Sequence, residues 1–343
     1  MRIMKKSVMV VLLFVMLLSS VSCTKSPSTL ESKESKGSTS ETIVNNGSNP
    51  GTQAPNNLMS TTADKLGITH QNYPRIDGST STLAIIKAIN NTMYQSDEND
   101  NFPKTASKTV PSYKLLINGE VDMIVVPYAS SDVLALAEDK GIKLEFYPVA
   151  AEALVFITPK ENKAENITME QVREIYLNYG ITNWSTLGGP DLKLVPICRN
   201  SDSGSQSQMD NLILNGKNMH SSIQKNHVEL TMEGMLEQVA FFHNGGLAGK
   251  PTKSYALGYT LYTYLKGMGE ITGIDERLKL LAFEGVVPSE ESIAEGTYSL
   301  SDAYYVVIRS DLPKEHSARR IINWLKSDDG KAIIKGLKLI PKQ

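Results

Sequence analysis

Three short clusters of hydroxyl side chains stand just ahead of apolar helical patterns. They are Asp77-Gly78-Ser79-Thr80-Ser81-Thr82, Ser107-Lys108-Thr109-Val110-Pro111-Ser112, and Ser203-Gly204-Ser205, the last with Arg199 four residues upstream. A helix N-terminus presents backbone N–H groups without intrahelical partners and the positive end of the helix dipole, so it favours an anion. The hydroxyls add neutral donors, Gly78 allows close backbone approach, and a guanidinium fork matches the geometry of an oxyanion. Taken singly, each cluster has a plainer account. The first is satisfied by Ser or Thr capping, the second by a cap with Pro111 in the first turn, and the third by a solvated loop with Arg199 paired to Asp202. The first and third clusters lie in separate halves of the chain, and a cleft could bring both onto one anion.

Reaction chemistry finds no comparable support. The five histidines, at 70, 220, 227, 243 and 316, form no HExxH or other metal-ligand spacing. The chain contains no GxSxG nucleophile elbow and no GxxxxGK[ST] phosphate loop. Gly267-Met268-Gly269 is an isolated fragment of a dinucleotide signature. No catalytic residue, metal or cofactor is therefore expected. A formal net charge of -2 over 343 residues lacks the basic face that nucleic acid requires. Two cysteines, Cys23 and Cys198, are too few for a disulfide framework or a zinc cage.

The elements that would position these clusters follow from periodicity. Leu83, Ile85, Ile86 and Ile89 share a helix face after the first cluster, and Tyr113, Leu115, Leu116 and Ile117 predict a shorter helix within the second. The apolar run 123–126 reads as a strand buried on both faces. A helix over 133–140 then precedes separate strands at 144–149 and 154–157. Thr168 and Gln171 have capping-box spacing and open a helix that reaches Tyr179. A strand at 194–197 leads into the Arg199 cluster and a helix to Ile213. A further helix covers 232–242, a strand 304–308, and a single helix 318–335. The segment 256–264 mixes Gly, Leu and Tyr and receives no complete assignment. This alternation predicts an α/β fold with mainly parallel sheets.

The N-terminus carries a different signal. Arg2, Lys5 and Lys6 precede an apolar run, 8–18, that is too short to span a membrane comfortably. Ser19, Ser20, Ser22 and Cys23 follow. The pattern resembles a bacterial lipoprotein signal, which implies that residues 1–22 are removed and that Cys23 is lipidated. Ser20 departs from it, because a Leu is usual three residues before the Cys. Residues 23–62, rich in Ser, Thr, Asn, Gly and Pro, cannot bury enough surface to offset their ordering entropy and read as a flexible tether.

From about residue 70 onward the chain resembles the phosphate-binding lipoproteins of the periplasmic-binding-protein superfamily. Four stretches carry the likeness: Asp77-Gly78-Ser79-Thr80, the segment from Ile175-Tyr176 to Ile181-Thr182-Asn183-Trp184, Arg199-x-x-x-Ser203-Gly204-Ser205, and Gly285-Val286-x-Pro288 through Gly296-Thr297-Tyr298-Ser299-Leu300. The third is the most specific, with Ser205 in place of the family's Thr. The resemblance implies anion contacts from Ser79, Thr80, Arg199, Ser203, Gly204 and Ser205, with Ser112 as a looser match. It implies a two-lobed, type II-like fold over 63–343. Lobe I would take 63–157 and 304–343, lobe II 158–303, and strands at 154–157 and 304–308 would cross between them. It further implies a monomer on the extracytoplasmic face of a bacterial membrane, held by its lipid, delivering inorganic phosphate or a similar oxyanion to an ABC permease. One departure bears on selectivity. The family places a proton-accepting Asp where this chain has Pro127, and such an acceptor is what rejects fully deprotonated anions. Asp77, Asp122 or another acid could replace it. The other reading is a binding protein or surface sensor of the same fold for another oxyanion or a small organic acid.

Overall fold

The computed structural model describes residues 59–244 and 252–342. The expected signal segment, Cys23 and almost all of the expected tether lie outside the described residues. The first regular element is a short helix, Thr61–Lys65, capped by the Ser60 hydroxyl.

The labelled strands are β1 (Ile76–Gly78), β2 (Met123–Pro127), β3 (Leu144–Pro159), β4 (Lys193–Pro196), β5 (Ser254–Leu261) and β6 (Ser301–Arg309). The labelled helices are α1 (Leu83–Met93), α2 (Thr109–Ile117), α3 (Ser131–Asp139), α4 (Gly204–Met209), α5 (Met232–Phe241), α6 (Ser317–Leu325) and α7 (Asp328–Gly336). The main sheet has eight strands, six of them in the order β1-β2-β6-β3-β5-β4, and Leu278–Leu280 and Ile340–Pro341 also pair with β3.

The sheet is mixed, and this corrects the expectation of mainly parallel sheets. β1 with β2 and β4 with β5 run parallel, whereas β2 with β6, β6 with β3, and β3 with β5 run antiparallel. An unbroken apolar run such as Met123–Val126 reports burial on both faces, not strand direction. The strands expected at 144–149 and 154–157 are one strand of 16 residues. The link between them, Ala150-Ala151-Glu152-Ala153, has low strand propensity. It is nevertheless fully paired, because β6 follows β3 from Leu144 to Ala153 before β5 takes over at Leu154.

β3 thus joins two halves, each with its own apolar clusters. In the first half, Val125 and Val306 face α1 and α6 through Ile86, Ile89 and Ile321. The alternate residues Ile124 and Val307 face α2 through Tyr113 and Leu116. In the second half, Phe156 and Tyr259 pack with Tyr176, Trp184 and Phe283, and Ile157 and Ala256 pack on α5 through Met235 and Val239. Alternation along each strand therefore feeds clusters on both faces of the sheet.

The single helix expected over 318–335 is two. Ser327 donates to Trp324 O at 2.6 Å and accepts from Gly330 N at 3.3 Å, ending one helix and capping the next. Apolar periodicity continues across this break and hid it. Gly330 permits the corner, because a Cβ there would lie 2.3 Å from Trp324 O and 2.5 Å from Leu325 Cα. Gly330→Ala is expected to cost about 1–3 kcal/mol by overpacking, read as a lower midpoint in urea unfolding. An unchanged midpoint would mean that α7 can shift freely on α6.

Candidate functional site

Gly78 ends β1 where the chain passes close beneath its neighbours. A Cβ there would lie 2.4 Å from Val125 O and 2.5 Å from Ile86 Cδ1, so only glycine fits without displacement. The backbone then turns through Thr80–Thr82 into α1. Ser79 is buried, its N–H donates to Val125 O at 3.2 Å, and its hydroxyl lies 2.9 Å from Ser81 Oγ and 3.1 Å from Thr82 Oγ1. These bonds hold Ser79, Thr80 and Ser81 at the wall of a cleft of about 270 Å³.

Arg199 reaches the same cleft from the second half. It lies on the short strand Cys198–Arg199, which pairs with Val228–Glu229. The residue is only 6% exposed. Its Nε donates to Glu229 O at 3.1 Å, its Nη2 to Leu230 O at 3.4 Å, and its Nη1 lies 3.5 Å from Ser205 Oγ. All three acceptors are neutral, and among the described residues no carboxylate forms an ion pair with it. The Arg199 N–H donates to the Tyr259 hydroxyl at 2.9 Å, and that hydroxyl donates to Gln206 Oε1. Burial pulls the guanidinium pKa below its ordinary value, with the negative ends of Tyr259 and Glu229 opposing the effect. An arginine stays protonated regardless.

Ser203 caps α4 and Gly204 opens it, and both line the cleft. Ser205 is fully buried behind them, with its Oγ 3.0 Å from Ser203 Oγ. Gly204 is one of the points at which the two halves touch. A Cβ there would lie 2.6 Å from the Pro127 ring at the end of β2 and 2.9 Å from Thr109 Oγ1 on α2. Five of the seven expected ligand residues therefore border one cleft, namely Ser79, Thr80, Arg199, Ser203 and Gly204. Ser205 backs it. Ser112 lies elsewhere: its buried hydroxyl donates to Asp77 Oδ2 at 2.8 Å and to Gly78 O at 2.7 Å, tying α2 to β1.

The second hydroxyl cluster contributes through other members, Lys108 and Thr109. Thr109 is 1% exposed, and its hydroxyl has no hydrogen-bond partner among the described residues. Lys108 caps α2 with φ 77° and ψ 170°, a backbone region almost reserved for glycine. Sequence reading placed this cluster ahead of a helix but chose Ser112 from it, because spacing alone does not tell which hydroxyl faces outward. Thr231, Met232, Glu233 and Tyr264 also border the cleft and were missed. Tyr264 follows β5, the segment left without a full assignment.

Neither carboxylate considered as a substitute acceptor reaches the cleft. Asp77 accepts from Ser107 N and Ser112 Oγ. Asp122 stands just before β2, at the end opposite Pro127, and pairs with Arg75 at 2.7 Å. Burial pushes the Asp122 carboxyl up, but the hydrogen bonds and charge of Arg75 outweigh this and hold it below its ordinary value. The carboxylates that do border the cleft are Asp202 and Glu233. Cys198 is buried and free, and burial pushes its thiol up to about 11, so it stays protonated at neutral pH. The remaining family-like stretches serve packing: Tyr176 OH donates to Ile197 O and Leu257 O, Trp184 Nε1 to Tyr255 O, and Tyr298 OH to Leu154 O.

Comparison with known proteins places this arrangement. A phosphate-binding protein PstS from Borreliella burgdorferi is 29% identical over 220 residues, covering 64% of this chain and 73% of the relative. An ABC-type phosphate transport receptor from Vibrio cholerae shares the fold with a TM-score of 0.55 at 24% identity, covering 77% of this chain and 98% of that one. A substrate-binding protein from Clostridium perfringens, whose structure holds bound phosphate, has a TM-score of 0.56 at 21% identity, with 78% and 98% covered. The family model described as a PBP superfamily domain matches residues 60–329, nearly the whole described fold. The chain belongs to the PBP superfamily, a family of binding proteins rather than of enzymes.

Proposed function

We propose that this chain is an extracytoplasmic solute-binding lipoprotein that captures phosphate in the cleft between its halves for an ABC permease. The observation that carries the reading is Arg199, a guanidinium 6% exposed, bordering a cleft, with no carboxylate paired to it among the described residues. Burying an unpaired charge costs several kcal/mol. An oxyanion in the cleft would offset that cost and accept charge-assisted hydrogen bonds. The hydroxyl-bearing residues Ser79, Thr80, Thr109 and Ser203 line the same space. The relatives named for phosphate make it the first ligand to test.

The two halves act in this reading as lobes, with 150–154 of β3 and the start of β6 as the crossing segments instead of the expected 154–157 and 304–308, which pair with strands of one half each. An anion that touches both lobes favours the closed arrangement, and the permease recognises that arrangement. The lipid on Cys23 would hold the protein at the outer face of the membrane, and the Ser/Thr-rich segment would give it reach. A broader oxyanion specificity is the second reading. It is favoured by Pro127, which puts an apolar ring against Gly204 where the family has an acidic acceptor.

Titration calorimetry of phosphate and sulfate into ligand-free protein tests the proposal. Phosphate is expected to bind, and Arg199→Ala to weaken it by about 1.5–3 kcal/mol, roughly one to two decades. A folded protein that takes up neither anion would refute the assignment. Thr109→Val gives a second test with two signs. Removing a buried hydroxyl that lacks a partner is expected to leave the ligand-free protein as stable or more stable, by up to about 1 kcal/mol. Phosphate affinity should fall in the same variant. Lower stability together with unchanged affinity would show that the hydroxyl serves the fold and not the ligand.

A further inference from the structure

The cleft lining is chemically mixed. Ser79, Thr80, Thr109, Ser203 and Arg199 bring donors to it. Leu230, Met232 and Tyr264 bring an apolar wall, interleaved with Thr231 and Glu233. Leu230 is 61% exposed, so its side chain is open to an occupant of the cleft it lines. It stands next to the charge, since its own carbonyl accepts from Arg199 Nη2. Tyr264 borders the cleft with Arg199 and Glu233: burial raises its hydroxyl pKa most, the Glu233 carboxylate raises it further and the Arg199 guanidinium lowers it. Met232 is buried and packs into the first-half core, so this wall is anchored to both halves.

An inorganic tetrahedral oxyanion presents polar oxygen in every direction and gains nothing from such a wall. The volume also exceeds its needs. At roughly 30 Å³ per water, the cleft of about 270 Å³ would leave several waters beside a five-atom ion. The floor points the same way. Pro127 lies against Gly204, so the cradle has no acidic acceptor there for a protonated fourth oxygen.

We infer that the cleft selects a substituted phosphoryl anion, R–PO3, with its three oxygens held by Arg199 and the surrounding hydroxyls and an uncharged group R covered by Leu230, Met232 and Tyr264. The inference rests on the anion site proposed above and names its ligand class. Asp202 and Glu233 border the same space and disfavour a second negative charge on R. Phosphate monoesters and phosphonates share this chemistry, and phosphonates are the cleaner probe because they resist hydrolysis.

The experiment is a calorimetric series of inorganic phosphate, methylphosphonate, butylphosphonate and phenylphosphonate, with the purified protein and with Leu230→Ser. Each methylene that becomes buried is expected to tighten binding by about fourfold at most. Butylphosphonate, with three further methylenes, is therefore expected to bind about tenfold more tightly than methylphosphonate, below a ceiling of about sixtyfold for complete burial. Leu230→Ser should reduce that ratio, and thermal unfolding reports whether the variant is folded. Phosphate that binds in an Arg199-dependent way while every substituent weakens affinity would overturn the inference and leave the anion site standing. A rising series that Leu230→Ser does not change would overturn the assignment of the apolar wall. Failure of phosphate and of every phosphonate to bind folded protein would remove the anion site and the inference together.

Discussion

The buried charge of Arg199 constrains much of what surrounds it. A guanidinium presents five donors, and here it meets two backbone carbonyls and a distant hydroxyl. In a protein interior an uncompensated ion of this kind would ordinarily be removed or paired, because its loss of hydration is only repaid by an opposite charge in good geometry. The local structure instead holds it in place. The two-strand pairing of Cys198–Arg199 with Val228–Glu229 brings the carbonyls of Glu229 and Leu230 to the side chain. Tyr259 takes the Arg199 N–H and passes its own proton to Gln206, which fixes the turn between the strand and α4. The folded state without ligand is left with an electrostatic deficit at one point, and an anion at that point is the simplest remedy.

The same logic explains where glycines are required. Gly78 and Gly204 lack space for a Cβ for different reasons. Gly78 passes under Val125 and Ile86 within the first half, so its constraint belongs to the fold. Gly204 meets Pro127 and Thr109 across the two halves, so its constraint belongs to their approach. Thr109, left with an unpartnered hydroxyl in that contact, is the counterpart of Arg199 on the opposite side. Thr109 is one of several residues with an unpartnered buried polar atom among the described residues, and it and Arg199 border one cleft from opposite halves.

Much of this was legible in the sequence, and the failures have physical causes. The hydroxyl clusters at 77–82 and 199–205 stand out because Ser, Thr and Gly at a helix start are chemically distinctive and lie close together in the chain. The apolar wall was not legible, since Leu230, Met232 and Tyr264 resemble ordinary core residues until topology places them beside a charge. Ser112 was named from a loose family match, and spacing alone does not tell which hydroxyl in the first turn of α2 faces the cleft. The direction of β6 was misjudged because apolar pattern carries no polarity. Its antiparallel fit beside β2 and β3 becomes clear only when β3 is seen as one 16-residue strand. The break at Ser327 was masked by apolar residues that keep helical spacing across two helices.

The crossing segment itself is built from unusual material. Glu152, at 0% exposure, lies on β3 opposite Asp302 of β6. Its carboxylate accepts from the backbone N–H of Ala153 and of Thr263, and it bonds the Thr263 hydroxyl, which in turn lies 3.1 Å from Tyr304 OH. Burial pushes the Glu152 carboxyl above its ordinary value, although these hydrogen bonds oppose the shift. Asp302 accepts from Gln208 of α4 and from Tyr305. Around this polar knot the β3 side chains are alanines: Ala150, Ala151 and Ala153. Interlocked large side chains resist relative rotation because any displacement opens voids. Small residues and hydrogen bonds with several nearby partners resist it less, since a donor that leaves one oxygen finds another. This part of the segment joining the halves is packed by small side chains and hydrogen bonds. The connection from Asp302 through Gln208 runs straight into the helix that begins at Ser203 and Gly204, so a shift of that helix on closing around an anion would reach the crossing strands directly.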